Sequence, residues 1–343
     1  MKILVIGGTG TLGHAILPML RDQIAPGDRI RILARDEHKL HKMEQKFMCW
    51  KDCKKDYKVI SEKYAIDFIS GDVRDKSRMM AAMKDVDYVY HFAAMKTIDG
   101  AEYNPSEAVK TNVLGTINVI AACHKNGVKK CVFTSTDKSV AAINMYGKSK
   151  AVAEDLIVKG NIGKMEGRCK FAAVRYGNVI GSTGSVFEKW DGADELEVCN
   201  PDMTRFWWLP KDAAAFVKMA MEEMDGGEVF IPYLRSSTIY QLAQCYNKPT
   251  RVVGARPGEK LHEALFTEDE STYIRAWPKH NCFIKYPTHN LFGMSITGEP
   301  IKKCEYNSYN TTRHTNRELT EMLIESGLCE ELQAREWLKR RFM

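Results

Sequence analysis

No run of eighteen apolar residues occurs anywhere in the 343 positions, so the sequence offers no membrane-spanning helix and no membrane partner is expected. Cysteine is scattered. Cys49 and Cys53 are the only close pair among ten, and no second pair stands at zinc-ligand spacing. This excludes a zinc ribbon and a small disulfide scaffold, predicts no metal, and fits reduced thiols in a cytoplasm. Internal repeats and low-complexity tracts are also missing, which excludes solenoids and disordered arrays. Charge of one sign is not in excess: 50 Lys and Arg against 44 Asp and Glu leave a net +6. A pocket for anionic ligands accounts for that balance, and no nucleic-acid partner is expected. The basic run around Lys39 to Lys58, interleaved with Trp50 and Tyr57, is the stretch that would suit RNA, but an RNA-binding side role is not the expectation. The first apolar strand begins at residue 2, so no signal peptide is expected. With 44% apolar residues the chain has enough to build a full core.

What the sequence does contain begins at its start. The apolar run Lys2 to Ile6 reads as a buried parallel strand. It leads into Gly7-Gly8-Thr9-Gly10-Thr11-Leu12-Gly13, then a helical pattern from His14 to Asp22. Glycines at 7, 10 and 13 allow a sharp turn and bring a pyrophosphate close to helix N–H groups. Strand, glycine turn and helix in this order predict a dinucleotide site. The second strand, Arg29 to Leu33, ends in Ala34-Arg35-Asp36-Glu37-His38-Lys39. Arg35 and Lys39 suit the 2′-phosphate of NADP, whereas Asp36 suits the 2′-hydroxyl of NAD; the expectation is NADP. Asp72, with Val73, closes a third strand and is placed to accept from the adenine amino group. Ala93 and Ala94 close a fourth, where small residues admit ribose and nicotinamide.

The most informative stretch is Ser135-Thr136-Asp137-Lys138, with Tyr146-Gly147-Lys148-Ser149-Lys150 just beyond it. Tyr146 and Lys150 stand four apart on a predicted helix and share a face. A phenol with a reference pKa near ~10 must fall by about three units, roughly 4 kcal/mol, to act as a base near neutrality. A neighbouring ammonium and the positive nicotinamide of the oxidised cofactor drive that change. Tyr146 and Lys150 suffice to oxidise an alcohol. Asp137 and Lys138 add an acid and an amine where the fifth strand ends, the place where α/β folds bind ligands. The set predicts oxidation of a sugar 4-hydroxyl with Tyr146 as base. Lys138, deprotonated by burial, then removes the C5 proton, and Asp137 protonates the departing 6-hydroxyl.

These residues resemble the extended short-chain dehydrogenase/reductases. Within them the chain is similar to the configuration-inverting UDP-N-acetylglucosamine 4,6-dehydratases, which open routes to pseudaminic acid and other deoxy amino sugars of surface polysaccharides. The matching blocks include Gly7 to Gly13, Gly71-Asp72-Val73-Arg74-Asp75, Ala93-Ala94-Met95-Lys96, Thr136-Asp137-Lys138, Arg175-Tyr176-Gly177-Asn178-Val179, Met203-Thr204-Arg205 and Arg256-Pro257-Gly258-Glu259-Lys260. The resemblance implies Thr136, Asp137, Lys138, Tyr146 and Lys150 as catalytic residues, and it sets Val179, Tyr146 and Lys150 among those that touch the cofactor. It implies Lys96 near both nicotinamide and sugar. Asn178, Arg205 and Arg256 are implied on the diphosphate of a UDP-N-acetylhexosamine, and Glu259 on the uridine ribose. It also implies a homo-oligomer. The sequence departs from the pattern at Thr97-Ile98-Asp99, at Thr183, in a short 187–200 stretch and in a long 48–65 stretch. A nucleotide-sugar 4-epimerase would need only the cofactor, Tyr146 and Lys150. A retaining dehydratase would carry an acid at position 138. A non-catalytic NADP(H) sensor would need neither the phenol nor its lysine.

The expected fold class is α/β, a Rossmann-type doubly wound parallel sheet with a smaller C-terminal substrate-binding lobe. Residues 1–177 form the cofactor domain, to which 203–232 return, and 178–202 with 233–343 form the lobe. Short helices are expected at Thr238 to Tyr246 and Leu261 to Thr267, and closing helices at Leu319 to Ser326 and Glu330 to Arg341. The helix around Asn112, Ser106 to Lys125, is apolar enough for central packing or a subunit contact.

Overall fold

A computed structural model describes residues 1–48, 65–162, 169–246, 248–288 and 295–328. The Cys49–Cys53 pair, the stretch from 49 to 64 and the expected Glu330–Arg341 helix lie outside these. Six apolar segments form parallel strands: β1 (Lys2–Ile6), β2 (Arg29–Ala34), β3 (Ile66–Ser70), β4 (Tyr88–His91), β5 (Lys130–Thr134) and β6 (Lys170–Val174). Their spatial order is β3-β2-β1-β4-β5-β6, continued by the parallel strand Val229–Pro232. The order reverses between β1 and β4, and that crevice is where such a sheet receives a ligand. Strands β1, β5 and β6 are each buried over four consecutive residues, as a sheet covered by helices on both faces requires.

The sheet does not stop at Val229–Pro232. Strands Cys282–Lys285, Ile274–Trp277 and Glu299–Pro300 add antiparallel to that edge, making ten strands in all. Residues 274–285 and 299–300 therefore lie on the large sheet, although the sequence reading gives them to the lobe. The edge of Val229–Pro232 exposes a row of backbone donors and acceptors, and these strands satisfy it. Leu261 to Thr267 differs too. It holds a strand, Ala264–Phe266, paired with Tyr306–Asn307, rather than a helix. Leu265 and Phe266 are fully buried, so a distant strand partner outweighed local propensity.

A second core of Phe187, Trp190, Leu196, Val198, Trp207, Leu242, Leu319 and Leu323 builds a smaller lobe beside the sheet. Helices Ile239–Gln244 and Asn316–Glu325 belong to it, and Thr315 caps the latter in a reciprocal box with Glu318. The segment around Asn112 is helical from Pro105 to Lys125, but it widens to a π-helical turn over Val109–Leu114. Asn112 uses that turn to bond backbone and side chain outside its own helix. Its amide accepts from Met95 N at 2.8 Å and donates to Met95 O and Ser149 Oγ, both at 2.9 Å. Among the described residues no helix is long and apolar enough to cross a membrane.

Candidate active site

One cavity of about 960 Å³ opens between the parallel strand ends and the smaller lobe. It is lined by every residue singled out above for cofactor or substrate, and by Thr136, Lys138, Tyr146 and Lys150. Asp137 is the exception. It is fully buried and lies behind the wall.

The glycine turn is dictated by close packing. Gly7 sits at φ +79°, and a Cβ there would come within 2.6 Å of Ala93 N. A Cβ on Gly13 would lie 1.9 Å from Gly8 O. At Gly10 a Cβ would meet only Gly7 O, at 3.3 Å, so this glycine keeps the approach to the helix Thr11–Arg21 open. A bare backbone cradle at a helix N-terminus fits a dinucleotide pyrophosphate. At the tip of β2, Asp36 Oδ1 accepts from Lys39 N at 3.0 Å. That bond, its largest cause, holds the Asp36 carboxyl below the usual range. Arg35 has no ion-pair partner among the described residues and lines the same end of the cavity. Asp72 is braced by Arg74, which donates to it from Nε at 2.9 Å and Nη2 at 2.6 Å.

The helix Met145–Lys159 carries Tyr146 and Lys150, and its placement rests on two neighbours. Asn144 caps it by accepting from Gly147 N at 2.7 Å, and donates across to Gly258 O at 2.8 Å. Gly147 lets the first turn touch the loop after β5, since a Cβ there would lie 2.1 Å from Lys138 O. The Tyr-Gly-Lys sequence thus fixes Tyr146 against Lys138. Lys150 donates to Thr134 O at 2.6 Å and lies 3.8 Å over the Phe133 ring. Burial pushes its ammonium down to about 7.

Two charge states differ from those expected. Burial presses on the Lys138 amine, but the Asp137 and Glu263 carboxylates outweigh it and hold the ammonium above the ordinary lysine value. Lys138 is therefore charged at rest, not deprotonated by burial. Its Nζ donates to Asp137 Oδ1 and Asn178 Oδ1, both at 3.0 Å, with Glu263 Oε1 at 3.6 Å. Tyr146 is raised by burial rather than depressed by Lys150; Lys138, followed by a hydrogen bond with Thr136, works against the rise. The Thr136 hydroxyl also donates to Asp137 Oδ1 at 3.0 Å, so it stands between the cavity and the buried acid.

The residues expected on the diphosphate are held unequally. Arg205 is buried, and its two Nη atoms donate to Thr204 O, Leu261 O and Lys260 O and touch Met203 Sδ. Arg256 donates to Asp99 Oδ2 at 3.2 Å and Glu259 Oε1 at 2.5 Å, while its buried Nε has no partner. Lys96 lines the cavity, and burial lowers its ammonium. Glu263 is absent from the sequence expectations. It stands three residues after the Arg-Pro-Gly-Glu-Lys block, the one signal that pointed to this loop.

Comparison with known proteins agrees with this geometry. Residues 3–284 match the family described as polysaccharide biosynthesis protein. The inverting UDP-N-acetylglucosamine 4,6-dehydratase of Campylobacter jejuni is 42% identical over 277 residues, 79% of this chain and 78% of that protein. A UDP-glucose 4-epimerase of Rickettsia bellii is 33% identical, covering 96% of this chain and 97% of its own. The crystal structure of Pen from Bacillus thuringiensis superposes with a TM-score of 0.84 at 30% identity, covering 96% of this chain and 98% of Pen. With its Rossmann sheet, glycine turn and Tyr146–Lys150 helix, the chain belongs to the polysaccharide biosynthesis protein family of extended short-chain dehydrogenase/reductases.

Proposed function

We propose that the chain dehydrates UDP-N-acetylglucosamine across C5 and C6, inverting C5, with bound NADP⁺. The observation that carries this reading is Lys138, which shares one cavity with Tyr146 and has carboxylates behind it. Epimerisation at C4 needs only Tyr146 and Lys150. An amine in the same cavity adds a proton-transfer group for the neighbouring carbon. The Campylobacter relative supports the substrate and the inversion.

A nicotinamide cofactor held at the glycine turn would supply the hydride chemistry, at C4 and then at C6. The residues do the rest. Tyr146, as the phenolate that the positive oxidised cofactor would favour, takes the proton of the 4-hydroxyl, and the ketone so formed acidifies C5–H. Lys138 removes that proton. Asp137, out of the cavity, receives the proton that Tyr146 took by way of the Thr136 hydroxyl, and returns it by the same route to the departing 6-hydroxyl. The glycine turn holds the pyrophosphate of the cofactor, and Arg35 with Lys39 holds its 2′-phosphate. Arg256, Asn178 and Arg205 line the diphosphate site of the sugar nucleotide, with Glu259 at the ribose.

Residues 1–177 with 203–232 act as the cofactor domain in this reading, and the smaller core holds the sugar nucleotide. Leu114 and Ile117, exposed on the helix of Asn112, support a homo-oligomer. The substrate and cofactor are cytoplasmic metabolites, which supports a cytoplasmic enzyme that feeds deoxy-amino-sugar glycans such as pseudaminic acid.

The test is incubation with UDP-N-acetylglucosamine in D₂O, with mass and proton NMR of the product. Loss of one water with deuterium at C5 is expected. An unchanged mass with inverted C4 would make the protein an epimerase. Unaltered substrate, with cofactor bound, would overturn both readings. Lys138→Ala is expected to abolish water loss.

A further inference from the structure

We propose that Glu263 is the proton acceptor that frees the Lys138 amine to act as the base at C5. The inference rests on the dehydratase reading above and names a positioning residue for it. Glu263 is 2% exposed and lies outside the cavity lining, so it acts only through Lys138.

The need for such an acceptor is chemical. An ammonium has no lone pair, and Lys138 is charged at rest between its carboxylates. Its proton must go to a group that does not itself attack the sugar. Asp137 Oδ1 already accepts from Thr136 and from Lys138, and its role is to supply the leaving hydroxyl. Asp137 Oδ2, like Glu263 Oε2, is buried without a hydrogen-bond partner, so what sets Glu263 apart is that it holds no bond to Thr136 and has no leaving-group role. Its Oε1 is 3.6 Å from Lys138 Nζ, and its buried Oε2 accepts no hydrogen bond. Lys260 Nζ stands 3.8 Å from Oε2 but spends its bond on Val140 O at 2.6 Å. An anionic oxygen buried without a partner is costly, and a proton relieves that cost.

The charged groups facing Glu263 are Lys138, Asp137, Arg205 and Lys260. Burial is the main cause that pushes its carboxyl above the ordinary value, against the pull of Lys138. In the transfer one N–H of Lys138 breaks and one O–H of Glu263 forms, turning a charged pair into a neutral one. Lys138 then takes the C5 proton, gives a proton back to C5, and recovers its own from Glu263. The base is freed within the cluster, and the Lys138 ammonium exchanges its protons with solvent between turnovers.

That closure sets the pH dependence. While the pair holds one proton between its two members, the fraction with a free amine does not change with pH. Without Glu263 the free amine must come from exchange with solvent, and its fraction rises about tenfold per pH unit below the lysine pKa. The measurement is deuterium exchange at C5 of the ketosugar product, made beforehand by the wild-type enzyme and incubated in D₂O with each variant. Exchange at C5 requires neither oxidation nor loss of water.

Wild-type exchange is expected to be flat across neutral pH. Glu263→Gln is expected to be slower by about 10²-fold near neutrality and to rise roughly tenfold per pH unit. Glu263→Asp, which keeps a carboxylate, is expected to be slower but flat. Asp137→Asn is expected to stay flat, because exchange needs no acid for a leaving group. A wild-type rate that climbs with pH overturns the proposal without any variant. So does a flat Glu263→Gln, a steep Glu263→Asp, or a steep Asp137→Asn beside a flat Glu263→Gln. A wild-type enzyme that removes no water from the substrate fails the dehydratase reading first, and this proposal with it.

Discussion

Asp99 and Arg256, 157 residues apart in sequence, meet in a hydrogen bond of 3.2 Å on the lining of the cavity. Asp99 belongs to the Thr97-Ile98-Asp99 departure from the family pattern. Its carboxylate engages the guanidinium that the proposed function gives to the diphosphate. Both side chains are substantially exposed, so the pair itself is weak. Asp99→Asn is expected to lower the Kd for UDP by about threefold to tenfold, as it removes a competing anion. Titration calorimetry with UDP measures this. An unchanged affinity would remove Arg256 from the diphosphate site.

Arg35 decides the cofactor in the proposed function. Asp36 is turned into its helix, whereas Arg35 has no carboxylate partner among the described residues. Arg35→Ala is expected to weaken NADP⁺ binding by about 10-fold to 100-fold and NAD⁺ binding by little, because only the former carries a 2′-phosphate. Fluorescence titration with both nucleotides gives the ratio. Equal losses would argue against a 2′-phosphate contact.

Gly147 is a position where one methyl group is costly. Gly147→Ala puts a carbon against the Lys138 carbonyl, so the helix Met145–Lys159 must shift or unwind its first turn. A stability loss of about 2–4 kcal/mol is expected, with kcat falling more than KM rises as Tyr146 moves from Lys138. Chemical denaturation and steady-state kinetics report the two effects separately.

Lys150 trades stability for chemistry. Its folded value of about 7 lies below that of an exposed lysine, so the unfolded chain binds the extra proton between that value and about 10. Its contribution to stability therefore increases as pH rises through this window and falls away toward pH ~7. Lys150→Met is expected to be more stable than wild type near neutral pH, by about 1–4 kcal/mol, and to lack this slope. It is also expected to lose activity by at least about 10²-fold. Denaturant melts at several pH values test the sign.

Arg175 joins the end of β6 to the helix Met145–Lys159. It bonds Glu154 on that helix and Glu270 at 3.0 Å, and Lys285 reaches Glu270 at 2.6 Å. Arg175→Met takes from Glu154 its hydrogen-bonded cation and leaves only the more distant Lys285 and Lys150 to offset its buried charge, and is expected to cost about 3–5 kcal/mol. Burial raises the Glu270 carboxyl, but Arg175 outweighs it and the value falls to about 2, from an ordinary 4.5. A depressed carboxyl stabilises the fold above its unfolded value, and that contribution is lost as pH falls from about 4.5 to about 2. Acid unfolding of wild type is expected across this window, with a smaller pH slope in Glu270→Gln.

The parallel strands, the glycine turn and the Tyr146–Lys150 helix were legible because each depends on local pattern. Period, glycine spacing and a four-residue interval survive in one dimension. The edge strand Cys282–Lys285 was not legible, since its pairing with Val229–Pro232 comes from about fifty residues away, and Ile274–Trp277 joins the sheet only through it. The strand at Ala264–Phe266 was missed for the same reason.

The sequence by itself determined the fold class and the glycine turn after the first strand, because residue type and short-range spacing carry that information. Only the tertiary structure decided the charge states of the reactive side chains. Lys138 was expected to be neutral from burial, yet Glu263 and Asp137 hold it charged. Tyr146 was expected to be lowered by Lys150 together with the oxidised nicotinamide; burial pushes the other way, and Lys138 rather than Lys150 opposes it. A pKa is set by burial and by charges a few ångströms away. Glu263 lies 125 positions from Lys138 along the chain, and only folding brings its carboxylate within 3.6 Å of the amine.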